Sequence, residues 1–417
     1  MQDSNSIAQT TRRLTWVVLL ACLAVVSGSA RANRNSGSPR FLAQQEGSGN
    51  SLDRAASLIS QNHLAPAEQL LEGVIQREPQ NARALTLLGE AHAAAGETQQ
   101  AEEFLRRALQ SDPRAAPAHE NLGALLEATQ RDEAAFAEYE AALSADRSSA
   151  LALRNLRPLC ERLALAARKA GDNESALGWL LRGNRAAPHD AELAGDLGVM
   201  ELEMGFDEDA VRVFREAHSE EPKSSRILYG LARAELGVQD MPAAEKDMRA
   251  YLAAEPDDPS AHYGLGKILV MLERREEARK EFQRSIELQP QQTESYYELG
   301  QLQVDSGAYP EAVANFERVI ARDPHHGGAL TGLGIAAFRE KDYDSARSYL
   351  KTAVASDPKY GPAHYYYGLT LAKLGESEES ERQLALAVQL DKDEKASKLK
   401  HPQILPAPGG APLNAPH

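Results

Sequence analysis

Tyrosines recur at intervals of 34 residues at Tyr229, Tyr263 and Tyr297, and again two intervals further on at Tyr365. Each joins a flat apolar ring to a hydroxyl that can donate or accept a hydrogen bond, a combination suited to recognition. Near them in the chain stand Arg226, Arg233, Lys267, Gln301, Met271, Phe338, Arg339 and Lys373. Guanidinium groups among them can grip a carboxylate through two parallel hydrogen bonds. The chemistry this set offers is binding.

Residues for bond-making do not converge. The eleven histidines fall at no metal-ligand spacing, and the adjacent His325 and His326 have no third ligand candidate. Gly327-Gly328 follows no strand pattern and precedes no Lys-Ser/Thr pair, so it does not read as a phosphate loop. Paired carboxylates such as Glu102-Glu103 and Glu276-Glu277 open helices, where they favour the helix dipole. No catalytic residue, cofactor or metal is expected. A net charge of -15, with lysines and arginines dispersed along the chain, argues against nucleic acid as a partner and for a solvated acidic surface.

What positions the tyrosines is a ruler of prolines. Pro79, Pro113, Pro188, Pro222, Pro256, Pro290, Pro324 and Pro358 step by 34 residues apart from one gap of 75, which hides a repeat with seven extra residues. With each proline at position 32, units begin at Ser48, Ala82, Ala116, Arg157, Ala191, Ser225, Pro259, Thr293, Gly327 and Gly361. Position 8 is always small, glycine in Gly89, Gly123, Gly198, Gly266, Gly300, Gly334 and Gly368 and alanine in the others. Position 20 is alanine in every unit except the last, which has Ser380. Position 24 supplies large knobs such as Leu105, Tyr139, Phe214, Phe282 and Phe316. Glycine within a helix costs about 0.5–1 kcal/mol relative to alanine, so this column predicts two helices crossing at close range. The prolines end each second helix, and Gly96, Gly171, Gly205, Gly307 and Gly375 at position 15 suit left-handed caps on the first helices. His119, His262 and His364 share position 4, which predicts partly buried packing histidines.

Small residues at 8 and 20, large ones at 24 and at 7, where leucine runs from Leu88 to Leu333 and Tyr367 follows, and proline at 32 together resemble the tetratricopeptide repeat family along residues 48–394. The resemblance implies an all-α fold, a right-handed α-solenoid superhelix of about ten helix-turn-helix repeats, working as a non-enzymatic scaffold for protein or peptide partners. It also implies that first helices line a concave face through positions 2, 5, 9, 12 and 13. The candidate groove is then Arg226, Tyr229, Arg233, Tyr263, Lys267, Tyr297, Gln301, Phe338, Arg339, Tyr365 and Lys373. This half suits an extended peptide with acidic and apolar side chains. Tyrosine at position 5 is also common in idealised forms of the repeat, which gives the ladder a second reading as family pattern. The first half, with Thr86, Glu90, Glu120, Glu127 and Glu161, is more acidic and has no ladder. Thr86, Tyr229 and Tyr263 do not match the subtype that grips terminal carboxylates with lysine at position 5, so chaperone-tail binding is not expected.

The irregular unit carries its seven extra residues near 150–156, where about two added turns can lengthen a first helix in phase, with Ser148 or Ser149 as its cap. Pro158 would kink that helix or start it. At the N-terminus Arg12-Arg13, an apolar run from Leu14 to Val26 and an Ala-x-Ala end at Ala30–Ala32 read as a signal peptide over residues 1–32. Three outcomes fit this stretch: cleavage after Ala32, lipidation at Cys22, or retention of residues 14–26 as an anchor. The expected location is periplasmic or secreted, or membrane-anchored facing the periplasm. Cleavage would leave Cys160 as the only thiol, so stability must come from stacking. Residues 33–47 read as a disordered linker and residues 395–417 as a disordered tail rich in proline and glycine, with a short polar stretch, Asp393 to Leu399, that could extend the stack as helix. The function expected is a scaffold in an exported or cell-envelope complex. The alternatives are a membrane-tethered assembly factor for secretion or pilus-like machinery, or a recruiting subunit of a separate enzyme such as a glycosyltransferase. Some transferases carry such arrays ahead of a catalytic domain, and only 23 residues follow Glu394 here.

Overall fold

The computed structural model describes residues 48–400, which form twenty helices and, among the described residues, no strand. The expected leader at 1–32, the linker at 33–47 and the tail after 400 lie outside the described residues. The helices come in pairs, and the chain divides into two compact units between Leu193 and Ala194. The first unit holds α1 (Ser48–Ser60) with α2 (Leu64–Arg77), α3 (Ala82–Ala95) with α4 (Thr98–Ser111), α5 (Ala116–Ala128) with α6 (Asp132–Ala145), and α7 (Ala150–Lys169) with α8 (Asn173–Ala186). The pair α9 (Ala191–Glu203) and α10 (Asp207–Glu220) opens at the boundary. The second unit continues with α11 (Ser225–Gly237) and α12 (Met241–Ala254), α13 (Pro259–Met271) and α14 (Arg275–Leu288), and α15 (Thr293–Ser306) and α16 (Tyr309–Ile320). It closes with α17 (Gly327–Arg339) and α18 (Tyr343–Ser356), then α19 (Gly361–Leu374) and α20 (Ser377–Lys400). The fold class is that of stacked helix-turn-helix repeats.

Close crossing explains the small columns. A Cβ added at Gly266 would lie 2.5 Å from Phe282, and one at Gly334 2.4 Å from Leu350, both knobs at position 24 of the same pair. The knob also meets the next pair: a Cβ at Gly230 would sit 2.3 Å from Phe214, and one at Gly332 2.3 Å from Phe316. Phe214, between Gly198 and Gly230, and Phe316, between Gly300 and Gly332, are thus clamped between position 8 of their own repeat and position 6 of the following one, which ties these neighbouring pairs together.

Position 15 takes a left-handed conformation in all ten units. Five carry the glycines named above, with φ between 78° and 83°, and five carry Asn62, Gln130, Gln239, Glu273 and Lys341, with φ between 60° and 69°. The turn is demanded by the helix pairing and holds even where the side chain disfavours it.

Two stretches differ from the simple repeat. Helix α7 starts at Ala150, seven residues before Arg157, with Ser149 accepting from the Ala152 amide at 3.1 Å, so the extra residues lengthen a first helix to 20 residues. Pro158 lies inside that helix and not at its start. Helix α20 runs to Lys400 and takes in residues 395–400 of the expected tail, covering the stretch Asp393 to Leu399 that the sequence reads as able to extend the stack; the next proline is Pro402.

Candidate functional site

Helices α11, α13 and α15 bring Tyr229, Arg233, Tyr263, Lys267 and Tyr297 around one cavity of about 520 Å³ in the second unit. That is within the usual range for a ligand pocket, about 300–1,000 Å³. The rings are seated on the core: Tyr263 lies 5.9 Å from Phe282, Tyr297 6.1 Å from Phe316, and Tyr229 5.0 Å from Tyr251. Gln301 donates to the Tyr297 hydroxyl at 2.8 Å, and His326 packs against the same ring at 4.9 Å. Burial pushes the phenols of Tyr229, Tyr263 and Tyr297 above their ordinary range, so they are neutral hydrogen-bonding groups at physiological pH.

The charges are arranged less simply than the residue types suggest. Lys267 Nζ is bonded to Glu298 at 2.6 Å, and Arg226 is paired with Asp196 outside the cavity. Arg233 is half-buried and has neither a hydrogen bond nor an ion pair to any described residue. Asp207, Glu294, Glu298 and Asp323 also line the cavity. Burial raises the Asp207 carboxyl, with Arg233 working against the rise. The surface expected to suit acidic side chains therefore carries four carboxylates against two cations.

The remaining groove candidates lie apart from the cavity. Thr331 breaks the ladder: it is 1 % exposed and donates to the Gly327 carbonyl of its own helix at 2.7 Å. Tyr365 beyond it is exposed and meets Tyr366 edge-on. Phe338 packs between Tyr343 and Tyr366, while Arg339 and Lys373 are exposed.

Asp207, Gly237, Met248, Glu294, Glu298 and His326 line the cavity and were not among the sequence candidates. Glu294 occupies position 2, one of the groove positions, so its signal was present. Asp207 opens a second helix, and its carboxyl rests where a Cβ at Gly237 would lie 2.5 Å away. Gly328 likewise leaves room for the Tyr297 hydroxyl, 2.6 Å from where its Cβ would be.

Beside Leu202 and Leu236 of the cavity wall, Glu201 and Glu235 turn into the core, 3 % and 2 % exposed. Each has one oxygen without a partner. Burial, and after it the nearby Asp209, pushes Glu201 up to about 7. Glu235 accepts from Arg215 at 2.9 Å and is also raised, chiefly by burial.

The histidines of position 4 act as stitches. His119, His262 and His364 each join a second-helix side chain at 2.6 Å, Glu138, Glu281 or Gln383, to the carbonyl of Pro113, Pro256 or Pro358. Both ring nitrogens are occupied by these bonds. No group of three or more His, Cys, Asp or Glu able to hold a metal occurs among the described residues.

Sequence models of the tetratricopeptide repeat match residues 229–293 and 297–361, and residues 58–126 and 337–400. No curated protein matches the chain. Among solved structures, a tetratricopeptide repeat protein from Parabacteroides merdae is similar at 18% identity and a TM-score of 0.47, over 59% of this chain and 98% of that one. The Cut9–Hcn1 hetero-tetramer of the APC/C is similar at 13% identity and 0.41, over 84% and 88%. YrrB, a repeat protein with an unusual peptide-binding site, is similar at 22% identity and 0.40, over 44% and 95%.

Proposed function

The chain belongs to the tetratricopeptide repeat family, and on that premise we propose that it is a non-enzymatic scaffold holding an extended segment of a partner protein in the cavity of its second unit. The observation that carries this reading is the convergence of Tyr229, Tyr263, Tyr297 and the unpaired Arg233 on one cavity. Rings already packed on the core lose little freedom when a ligand arrives, which favours them as anchors. Their neutral hydroxyls can meet a peptide backbone that passes across them.

The work is assigned to an exported or cell-envelope complex, on the order of basic, apolar and Ala-x-Ala residues between Arg12 and Ala32. N-terminal sequencing of the exported protein tests this: a start at Asn33 supports a free periplasmic or secreted form. An intact apolar run at 14–26 would instead support the tethered assembly factor.

For the scaffold itself the test is affinity capture from envelope extract with wild type and with a Tyr229→Ala, Tyr263→Ala, Tyr297→Ala triple variant. The expected result is loss of the captured partner from the variant. Equal recovery by both proteins would remove the cavity as the binding surface.

A further inference from the structure

Arg233 differs from the other cations on this surface. Arg226 and Lys267 each hold an acid of the chain itself, whereas Arg233 is half-buried with no hydrogen-bonding or ion-pairing partner among the described residues. Asp207 acts on this guanidinium through space without bonding it, so its N–H donors remain open to an arriving carboxylate that can bond them directly. On the other side of the cavity Glu294 also lacks a partner among the described residues, and the cation between them, Lys267, is bound to Glu298. Besides Asp207, which acts on Arg233 through space, the cavity therefore presents two charges of opposite sign with no hydrogen-bonding or ion-pairing partner among the described residues, one on α11 and one on α15. Tyr263 of α13 and Met248 of α12 lie on the elements between them.

The balance of the whole lining decides what fits. Asp207, Glu294, Glu298 and Asp323 face Arg233 and Lys267, so a uniformly acidic ligand would be repelled and a uniformly basic one would leave Arg233 unpaired. With neighbouring first helices about one helix diameter apart, ~10 Å, the two charges stand on the order of 20 Å from each other. A single amino acid is too short to meet both. About six extended residues at ~3.3 Å each cover the span.

We propose that the cavity selects a bipolar extended segment of the partner protein, with an acidic side chain at Arg233, an apolar one over Tyr263 and Met248, and a basic one at Glu294. This rests on the scaffold reading above and names the chemistry of its ligand. Charge at the two ends also fixes the direction in which the segment lies, since the reversed polarity would place like charges together.

The test is selection of a phage-displayed random dodecapeptide library on the full chain as wild type, Arg233→Glu, Glu294→Lys and the tyrosine triple variant. Wild type is expected to enrich peptides with Asp or Glu and, about five to seven residues away, Lys or Arg. Arg233→Glu should turn the acidic position basic and leave the other unchanged, and Glu294→Lys should do the converse. With one enriched peptide labelled with fluorescein, the neutral variants Arg233→Gln and Glu294→Gln should each weaken binding about tenfold, with melting temperatures unchanged. A wild-type pool without the charge pair, no enriched pool at all, or a pool unchanged by the swaps overturns the proposal. A pool indifferent to the swaps yet lost in the tyrosine variant overturns only the bipolar selection. A pool that the tyrosine variant recovers equally well overturns the scaffold reading as well.

Discussion

In the first unit position 5 carries Leu52, Thr86, Glu120 and Glu161; in the second it carries Tyr229, Tyr263 and Tyr297 on three first helices in succession. Most of the groove-facing polar groups of the first unit are engaged by the chain itself, Glu90, raised by burial and without a hydrogen bond or ion pair among the described residues, being the exception. Thr86 donates to the Ala82 carbonyl, Glu120 takes the Ser149 hydroxyl, and Glu127 holds Arg162 at 3.0 Å and Tyr139 at 3.1 Å. The second unit gathers two charges of opposite sign, Arg233 and Glu294, around one cavity, neither making a hydrogen bond or ion pair among the described residues. One repeat pattern thus supports two different surfaces, because the pattern constrains the crossing columns and leaves the groove columns free. The core is shared and the recognition is local.

That contrast can be broken first at the groove. Replacing Tyr229, Tyr263 and Tyr297 together by alanine should reduce partner affinity at least ~100-fold, as expected for central aromatic anchors. The matched change in the first unit, Glu90→Ala with Glu120→Ala, should leave affinity within about twofold by the same reasoning. Fluorescence anisotropy with the captured partner measures both.

The next largest effect separates packed from open glycines. Gly332→Ala drives a Cβ into Phe316 and should cost about 2–3 kcal/mol in urea unfolding, with faster unfolding of the second unit. By contrast Gly73 and Gly178, within helices of the first unit, have nothing within 4 Å of an added Cβ. Gly73→Ala should stabilise by about 0.5–1 kcal/mol.

Glu201 makes the second unit sensitive to pH. Its carboxyl titrates near 7 in the folded chain against an ordinary 4.5, with Asp209, Arg212 and Glu216 facing it. Between those values the folded state keeps a proton that the unfolded state has released, so stability falls as pH rises through the window. Glu201→Gln removes this loss. Its melting temperature should exceed that of wild type at pH 8 and approach it at pH 4.5, as calorimetry across the range would show. The smaller effect lies at position 15. Glu273→Gly and Lys341→Gly relieve left-handed strain and should each add about 1 kcal/mol, whereas Asn62→Gly should add less because asparagine tolerates that conformation.

Much of this was legible from the repeat. Columns 8, 20, 24 and 32 recur in phase, and ten copies of one steric demand expose what a single copy would hide. Position 15 was half legible: its glycines announce the left-handed turn, while Gln130 and Lys341 adopt it because the paired helices leave no other route. The glycines at position 6 were silent, since only Gly230, Gly264 and Gly332 carry the signal. In the site, the tyrosines and Arg233 were visible through their spacing. The pairing of Lys267 with Glu298 was not, because it joins side chains of two neighbouring repeats of the second unit. Arg339, Tyr365 and Lys373 share the groove columns yet stand outside the cavity, since Thr331 removes the ring that would have continued the ladder.

The central claim is that the second unit, and not the first, holds the partner. A photo-reactive benzoylphenylalanine placed at Tyr263 in one protein and at Glu90 in another tests it directly, with irradiation in envelope extract and mass spectrometry of the adducts. The account predicts a discrete cross-linked partner from Tyr263, competed away by unlabelled wild type, and none from Glu90. Adducts from Glu90 alone, or the same adducts from both positions, would contradict it.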